Sequence, residues 1–342
     1  MPSVTSPLPA GERVAAWRPG EGLLVGAPML GRTAQNLFWL SRYVERAENM
    51  ARLLEVGYRM SLTSRREGGA SEHLLSMMQA AEVDEDFAAK HKRADVESVS
   101  QFMLFDETNP SSVRSCLLAA RTNARSVRTA LTTDMWESLN SAWLEFCSYD
   151  PRETTGSRLL ELLRWVRTVS YRYRGALLST FLRDDGYAFA QIGNFVERAD
   201  NTARILDMKY YVLLPRTDLI GGDVDIQQWT LILRAASAHR SYRHVYHDRY
   251  KAWNIADYLI LRPEMPRSLL FCVGWINRTL DMLEEIYGSK SAAHAAAADV
   301  TAMLEGNSMD RIFAYGLHEF LTEFIARNNK ITEAIAESYN FY

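Results

Sequence analysis

Residues 44–52 read VERAENMAR and residues 196–204 read VERADNTAR. Taking Val44 as zero and advancing about 100° per residue on a helix, Glu48, Arg52, Glu45 and Asn49 fall between about 40° and 140°, one polar patch. Glu197, Asp200, Asn201 and Arg204 repeat it in the second copy. Two such helices turned toward one cleft would bring together carboxylates, amides and guanidiniums. Pooled carboxylates could hold Mg²⁺ or Mn²⁺ and, through the ion, a phosphate. Crowding could also raise one carboxyl pKa and make a general acid or base. The di-iron pattern of helical bundles requires Glu-x-x-His, and neither copy has the histidine. A structural reading competes with the catalytic one. Glu48 to Arg52 and Asp200 to Arg204 are i,i+4 pairs in the favourable orientation, each contributing roughly 0.2–0.5 kcal/mol to an exposed helix. That reading leaves Asn49 and Asn201 unexplained. Mid-helix asparagine costs about half a kcal/mol against alanine, so a specific hydrogen bond is expected.

A second constellation is the arginine row Arg114, Arg121, Arg125 and Arg128, whose spacing aligns them on one helix face. Such a row could grip phosphate or carboxylate, or neutralise acidic patches on neighbouring helices. Weaker candidates read as structure. In RDDG (183–186), Asp184 or Asp185 is an N-cap; His239, His244 and His247 lack the acidic or Cys partner of a zinc set. Cys116 and Cys272 fall among apolar helix residues, where packing outweighs nucleophilic chemistry. Tryptophans 136, 143, 165, 229, 253 and 275 are expected as core or interface anchors. No GxxxxGK[ST] and no GxGxxG after a strand supplies a nucleotide loop.

These residues need long helices, and the sequence provides them. Leu37, Leu40, Val44, Ala47, Ala51, Leu54 and Tyr58 form a helical stripe, with Thr33 the expected N-cap. Further helices are expected over about 110–131, 157–182, 187–214, 225–247, 266–287, 291–305 and 309–337, with Ser111 or Ser112 capping the first of these and Pro215 stopping the 187–214 helix. No alternating strand pattern appears, so the fold class is all-α. The 342 residues suffice to bury about three quarters of the unfolded surface in one body. A net charge of −3 argues against a general nucleic-acid or anionic-membrane binder and leaves room for a local basic patch. Three scattered cysteines fit a reducing cytoplasm, and no segment reads as a signal or a membrane span. The Pro-, Gly- and Ser-containing residues 1–28 read as a flexible tail before a helical domain at 29–342.

The near-copies extend beyond one motif. LFDETNPSSVRSCL (104–117) echoes ILRPEMPRSLLFCV (260–273), pairing Pro110 with Pro266, Ser112 with Ser268 and Cys116 with Cys272. Two tandem, divergent helical halves, about 30–175 and 176–342, are expected within one body.

LGRTAQNLFWLSRYVERAENMARLL, ARTNARSVRTAL, MWESLN, FLRDDGYAFAQIGNFVERADNTARILD and PRSLLFC together resemble the Alpha-E family, a bacterial α-helical domain with a Glu-Arg motif. The resemblance spans about residues 30–340. It implies association with a circularly permuted ATP-grasp ligase, and with a transglutaminase-like protein, in an ATP-dependent amide- or peptide-ligating system. It assigns no catalytic residues. Three functions follow as expectations: an accessory partner of that ligase, presenting substrate or completing its site; an enzyme acting on an amide or activated acyl group through the paired Glu/Asn/Arg patch; or a helical scaffold.

Overall fold

The computed structural model describes residues 29, 31–63, 69–213, 222–247 and 250–341; the expected tail over 1–28 and Pro215 lie outside them. Among the described residues the regular structure is helical throughout. The chain runs through α1 (Gly31–Thr63), α2 (Gly69–Ala80), α3 (Asp84–Ala88), α4 (Val96–Leu104), α5 (Val113–Ser126), α6 (Thr133–Phe146) and α7 (Gly156–Thr180). It continues through α8 (Asp185–Leu213), α9 (Asp223–Ala235), α10 (His239–Tyr246), α11 (Ala252–Ile260), α12 (Leu269–Tyr287), α13 (Ala292–Glu305), α14 (Met309–Tyr315) and α15 (Leu317–Ser338).

Helices α1 and α8 form the centre, buried along most of their length. They run parallel, because contacts between them rise together along both sequences. The Met29 amide bonds Asp185, Phe38 lies against Gly193, and Glu45 meets Arg198. Gly193 permits this approach: a Cβ built there would stand 2.2 Å from the Phe38 carbonyl oxygen. Around this pair, α5 and α7 pack on α1, α12 and α15 pack on α8, and α2 and α9 each touch both central helices.

Local sequence explains most boundaries. Ser112 caps α5 through the Ser115 amide, and Ser268 caps α12 through the Phe271 amide. Asp184 accepts from the Tyr187 amide, as expected of the RDDG segment. Several expectations are corrected. Helix α1 begins at Gly31, so Thr33 lies inside it and is not its cap. Helix α5 ends at Ser126 and not near Leu131; the Thr122 and Ser126 hydroxyls bond back to carbonyls four residues earlier, which weakens helix continuation. The stretch 225–247 divides at Ser237, whose φ is 54°, and 309–337 divides at Gly316, whose φ is 116°. No helix among the described residues is long and apolar enough to cross a membrane.

Among the described residues seven α-helices precede Asp185 and eight run from it onward, and several correspond in length and burial. Helices α4 and α11 have nine residues each, and α6 and α13 have fourteen each. Buried positions Leu162, Val166, Ser170, Tyr173 and Leu177 of α7 recur at one constant offset as Phe320, Phe324, Asn328, Ile331 and Ile335 of α15.

Candidate functional site

The repeated motif lies where α1 and α8 touch, and its charges are exchanged between the two copies. Glu45 accepts from Arg198 Nε at 3.1 Å and Nη2 at 3.0 Å. Glu197 accepts from Arg46 Nε at 2.6 Å and Nη2 at 3.0 Å, and from Arg42 Nε at 2.8 Å. Each Glu-Arg dipeptide therefore gives its acid to the other helix's base. Arg46 and Arg198 did not enter the sequence-derived patch, although both recur in the motif.

Glu45 and Glu48 sit together, fully buried. Arg267 Nη1 donates to Glu45 at 3.0 Å, and Arg267 Nη2 donates to Glu48 at 2.6 Å. Arg174, from α7, bonds both carboxylates. Arg52 Nε donates to Glu48 at 2.9 Å and also reaches the Ala235 carbonyl, Ser237 Oγ and Tyr171 OH. Each carboxylate thus accepts four guanidinium hydrogen bonds, two on each oxygen of Glu45, and three on Oε1 and one on Oε2 of Glu48. Across the α1/α8 contact, Asp200 is held by Arg204, Nε at 2.6 Å. Arg204 continues to the Ala80 carbonyl and Glu82, matching Arg52 with Ala235 and Ser237. Glu82 and Ser237 even share a left-handed backbone, φ 53° and 54°.

This geometry corrects the pooled-carboxylate expectation. The acids of the two helices meet arginines and not one another across an open cleft, so a Mg²⁺ or Mn²⁺ ion would have to compete with guanidinium donors at Glu45 and Glu48. Crowding does not raise their pKa values either. Burial would push Glu45 and Glu48 up, but Arg198, Arg174 and Arg267 around Glu45, and Arg267, Arg52 and Arg174 around Glu48, hold both below the usual carboxylate range. For Glu197 burial again opposes ionisation, and Arg46 and Arg42 outweigh it, leaving the carboxyl at about 2.

A pH dependence follows. Glu197 titrates below its ordinary value of 4.5, so its contribution to stability is complete above about pH 4.5. It is lost as pH falls through the folded value near 2. The shift corresponds to about 3 kcal/mol. Urea unfolding of the protein and of Glu197→Gln should differ strongly at pH 7 and converge as pH approaches 2. A gap that persists undiminished into acid would contradict the assignment.

The asparagines divide. Asn201 Nδ2 reaches the Glu45 carbonyl at 3.5 Å, a long contact between the central helices. Asn49 is buried, and neither its Oδ1 nor its Nδ2 has a partner among the described residues, so the expected bond is not made there.

The arginine row does not converge. Arg114 pairs with Glu107 at 2.8 Å and Arg121 donates to Asn140 at 2.9 Å. Arg125 is exposed, and Arg128, beyond the end of α5, lies over the Trp136 ring. His244 and His247 line an open depression with Arg240 and Arg243. Cys116 and Cys272 are buried, and burial pushes both thiols up to about 12, too high for a resting thiolate. Asp281, Glu284 and His294 lie close together, but His294 has both ring nitrogens engaged, with the Ser291 amide and the Leu280 carbonyl. Of the tryptophans, Trp229 is buried whereas Trp253 is 41% exposed.

Two curated relatives align with this chain at 24% identity over 317 residues: Uncharacterized protein Mb2597 of Mycobacterium bovis and Uncharacterized protein MT2643 of Mycobacterium tuberculosis. The match covers 86% of this chain and 35% of each relative, so the chain spans about a third of the length of the curated relatives it matches. No solved structure matches. The family model described as "a predicted alpha-helical domain with a conserved ER motif" matches residues 29–340, and its two-letter signature fits the exchanged Glu45-Arg46 and Glu197-Arg198 dipeptides; this chain belongs to the Alpha-E family.

Proposed function

We propose that this chain serves as an accessory partner of an ATP-grasp amide- or peptide-ligating enzyme, presenting substrate or completing its site in the cytoplasm. The observation that carries the reading is the state of the motif: its Glu45 and Glu197 carboxylates are closed into arginine pairs and lie below the ordinary carboxylate range. That arrangement speaks for architecture and against acid–base or acyl-transfer chemistry at the paired patch. The length of the relatives agrees, since each carries the matching region inside a much longer chain. The repeated element order, the crossed pairs and the matched Arg52 and Arg204 contacts support a body of two tandem halves related by a pseudo-twofold axis between α1 and α8.

The test is co-expression with the ATP-grasp protein of the same genome. Co-elution on size exclusion, with a change in ATP turnover when this chain is added, is the expected result. A ligase that neither binds this chain nor changes its turnover would reject the reading.

A further inference from the structure

A set of repeated aromatic contacts lies outside the central helices, and its second copy carries a surface that the first does not. In and just after α3, Phe87 stacks on His91 at 4.6 Å and meets Phe102 of α4 edge-on at 5.4 Å. In α10, Tyr242 stacks on Tyr246 at 5.0 Å and meets Tyr258 of α11 edge-on at 5.6 Å. Glu82 and Ser237, with their shared left-handed backbone, precede these rings at the same distance in sequence. Within the two tandem halves proposed above, Arg240, Arg243, His244 and His247 therefore stand where Glu85, Ala88, Ala89 and Lys92 stand. The rings that build the element recur while its outer face is replaced, so the cationic face is not a requirement of the fold.

The four residues recur at i, i+3, i+4 and i+7, one side of a helix, over about 10 Å along its axis. All four are exposed, and they line an open depression of about 330 Å³. Arg240, His244 and His247 make no hydrogen bond or ion pair among the described residues, while Arg243 has a contact of its own. No described carboxylate lines the depression. Asp257 of the neighbouring α11 is held instead by Tyr246 and Arg262. Asp248 and Arg249, next in sequence, lie outside the described residues and offset each other in charge. Val245, beside His244, is 46% exposed at the edge of this face.

We infer that this face of α10 docks an acidic polypeptide segment, whose carboxylates pair with Arg240, Arg243, His244 and His247. Charge complementarity and size select that partner. Guanidinium and imidazole donors suit carboxylates, and two helical turns match acidic side chains spaced three and four residues apart on a partner helix. The exposed Val245 offers an apolar side chain of such a segment a contact beside the charges. A row this short neutralises few phosphates, so a nucleic acid would gain little affinity from it. The docking does not require that the partner be a ligase.

The probe is a fluorescent, alanine-based peptide of about 14 residues with glutamates three and four apart, titrated with the full chain and read by anisotropy. It should bind at about 50 mM salt and more weakly as salt rises, and its glutamine counterpart should not bind. Arg240→Glu should weaken binding at least about fivefold with the unfolding midpoint unchanged, because the side chain is exposed. Lys92→Glu makes the same change in net charge at the corresponding exposed position of the other half, and should leave binding within about twofold. Equal loss in the two variants, or no binding to the unmodified chain, would overturn the α10 face. Equal binding of the glutamine peptide would overturn the charge pairing. Tighter binding of a thymidine oligonucleotide of similar length would overturn the polypeptide assignment. Failure of the ligase to co-elute with this chain leaves these results untouched, so the two readings fail separately.

Discussion

Glu45→Gln is expected to destabilise the protein by about 3–5 kcal/mol, enough to remove much of the soluble yield of a domain of ordinary stability. The substitution removes no large side chain and creates no cavity. It takes away the carboxylate on which Arg198, Arg174 and Arg267 converge, leaving buried cations with one acidic partner, Glu48. The cost is the penalty of uncompensated charge in a dry interior, not the modest worth of an exposed i,i+4 pair. Urea denaturation at pH 7, or a comparison of soluble yields, measures it. A change within about 0.5 kcal/mol, the range for substitutions away from special features, would show that the cluster does not hold the two central helices together.

Gly193→Ala is expected to cost about 2–3 kcal/mol, near the upper end for inserting a methyl group into a packed core. The added Cβ would stand 2.2 Å from the Phe38 carbonyl oxygen and 3.0 Å from its carbonyl carbon, so backbone and not a flexible side-chain tip must move. Separation of α1 from α8 would also lengthen the Arg46–Glu197 and Arg198–Glu45 pairs, adding to the loss. Gly175 in α7 supplies the control, since nothing lies within 4 Å of a Cβ built there. Gly175→Ala should stabilise the helix by up to about 1 kcal/mol through propensity alone. Thermal unfolding of the two variants should therefore shift in opposite directions. Equal shifts would remove the close helix approach from the account.

The helical class was legible because periodic stripes such as Leu37, Leu40, Val44 and Ala47 admit little else, and all of these are buried in α1. Caps at Ser112 and Asp184 were legible for the same local reason: a hydroxyl or carboxylate precedes the apolar run it serves. The breaks at Ser237 and Gly316 were not, because a left-handed residue inside an amphipathic pattern barely alters its periodicity.

At the site, the motif itself was visible, but its pairing was not. A helical wheel places Arg46 outside the Glu45/Glu48/Asn49/Arg52 patch, which is correct within one helix and misleading between two. Arg46 serves Glu197, on the partner helix, and only recurrence of Arg in both copies hinted at that use. Arg174 and Arg267 carried no local signal; they come from α7 and the turn before α12, and only tertiary packing brings them to Glu45. The arginine row on α5 was the opposite case, a regular spacing that the structure distributes among Glu107, Asn140 and Trp136.

The central claim is that the two Glu-Arg dipeptides lock α1 to α8 by exchanging partners. A double-mutant cycle on Arg46 and Glu197 tests it most directly, using Arg46→Met, Glu197→Gln and the double variant in urea unfolding at pH 7. The account predicts a coupling energy of about 2 kcal/mol or more between residues on different helices. Additivity within about 0.3 kcal/mol would contradict it, and the motif would then need another explanation for being present twice.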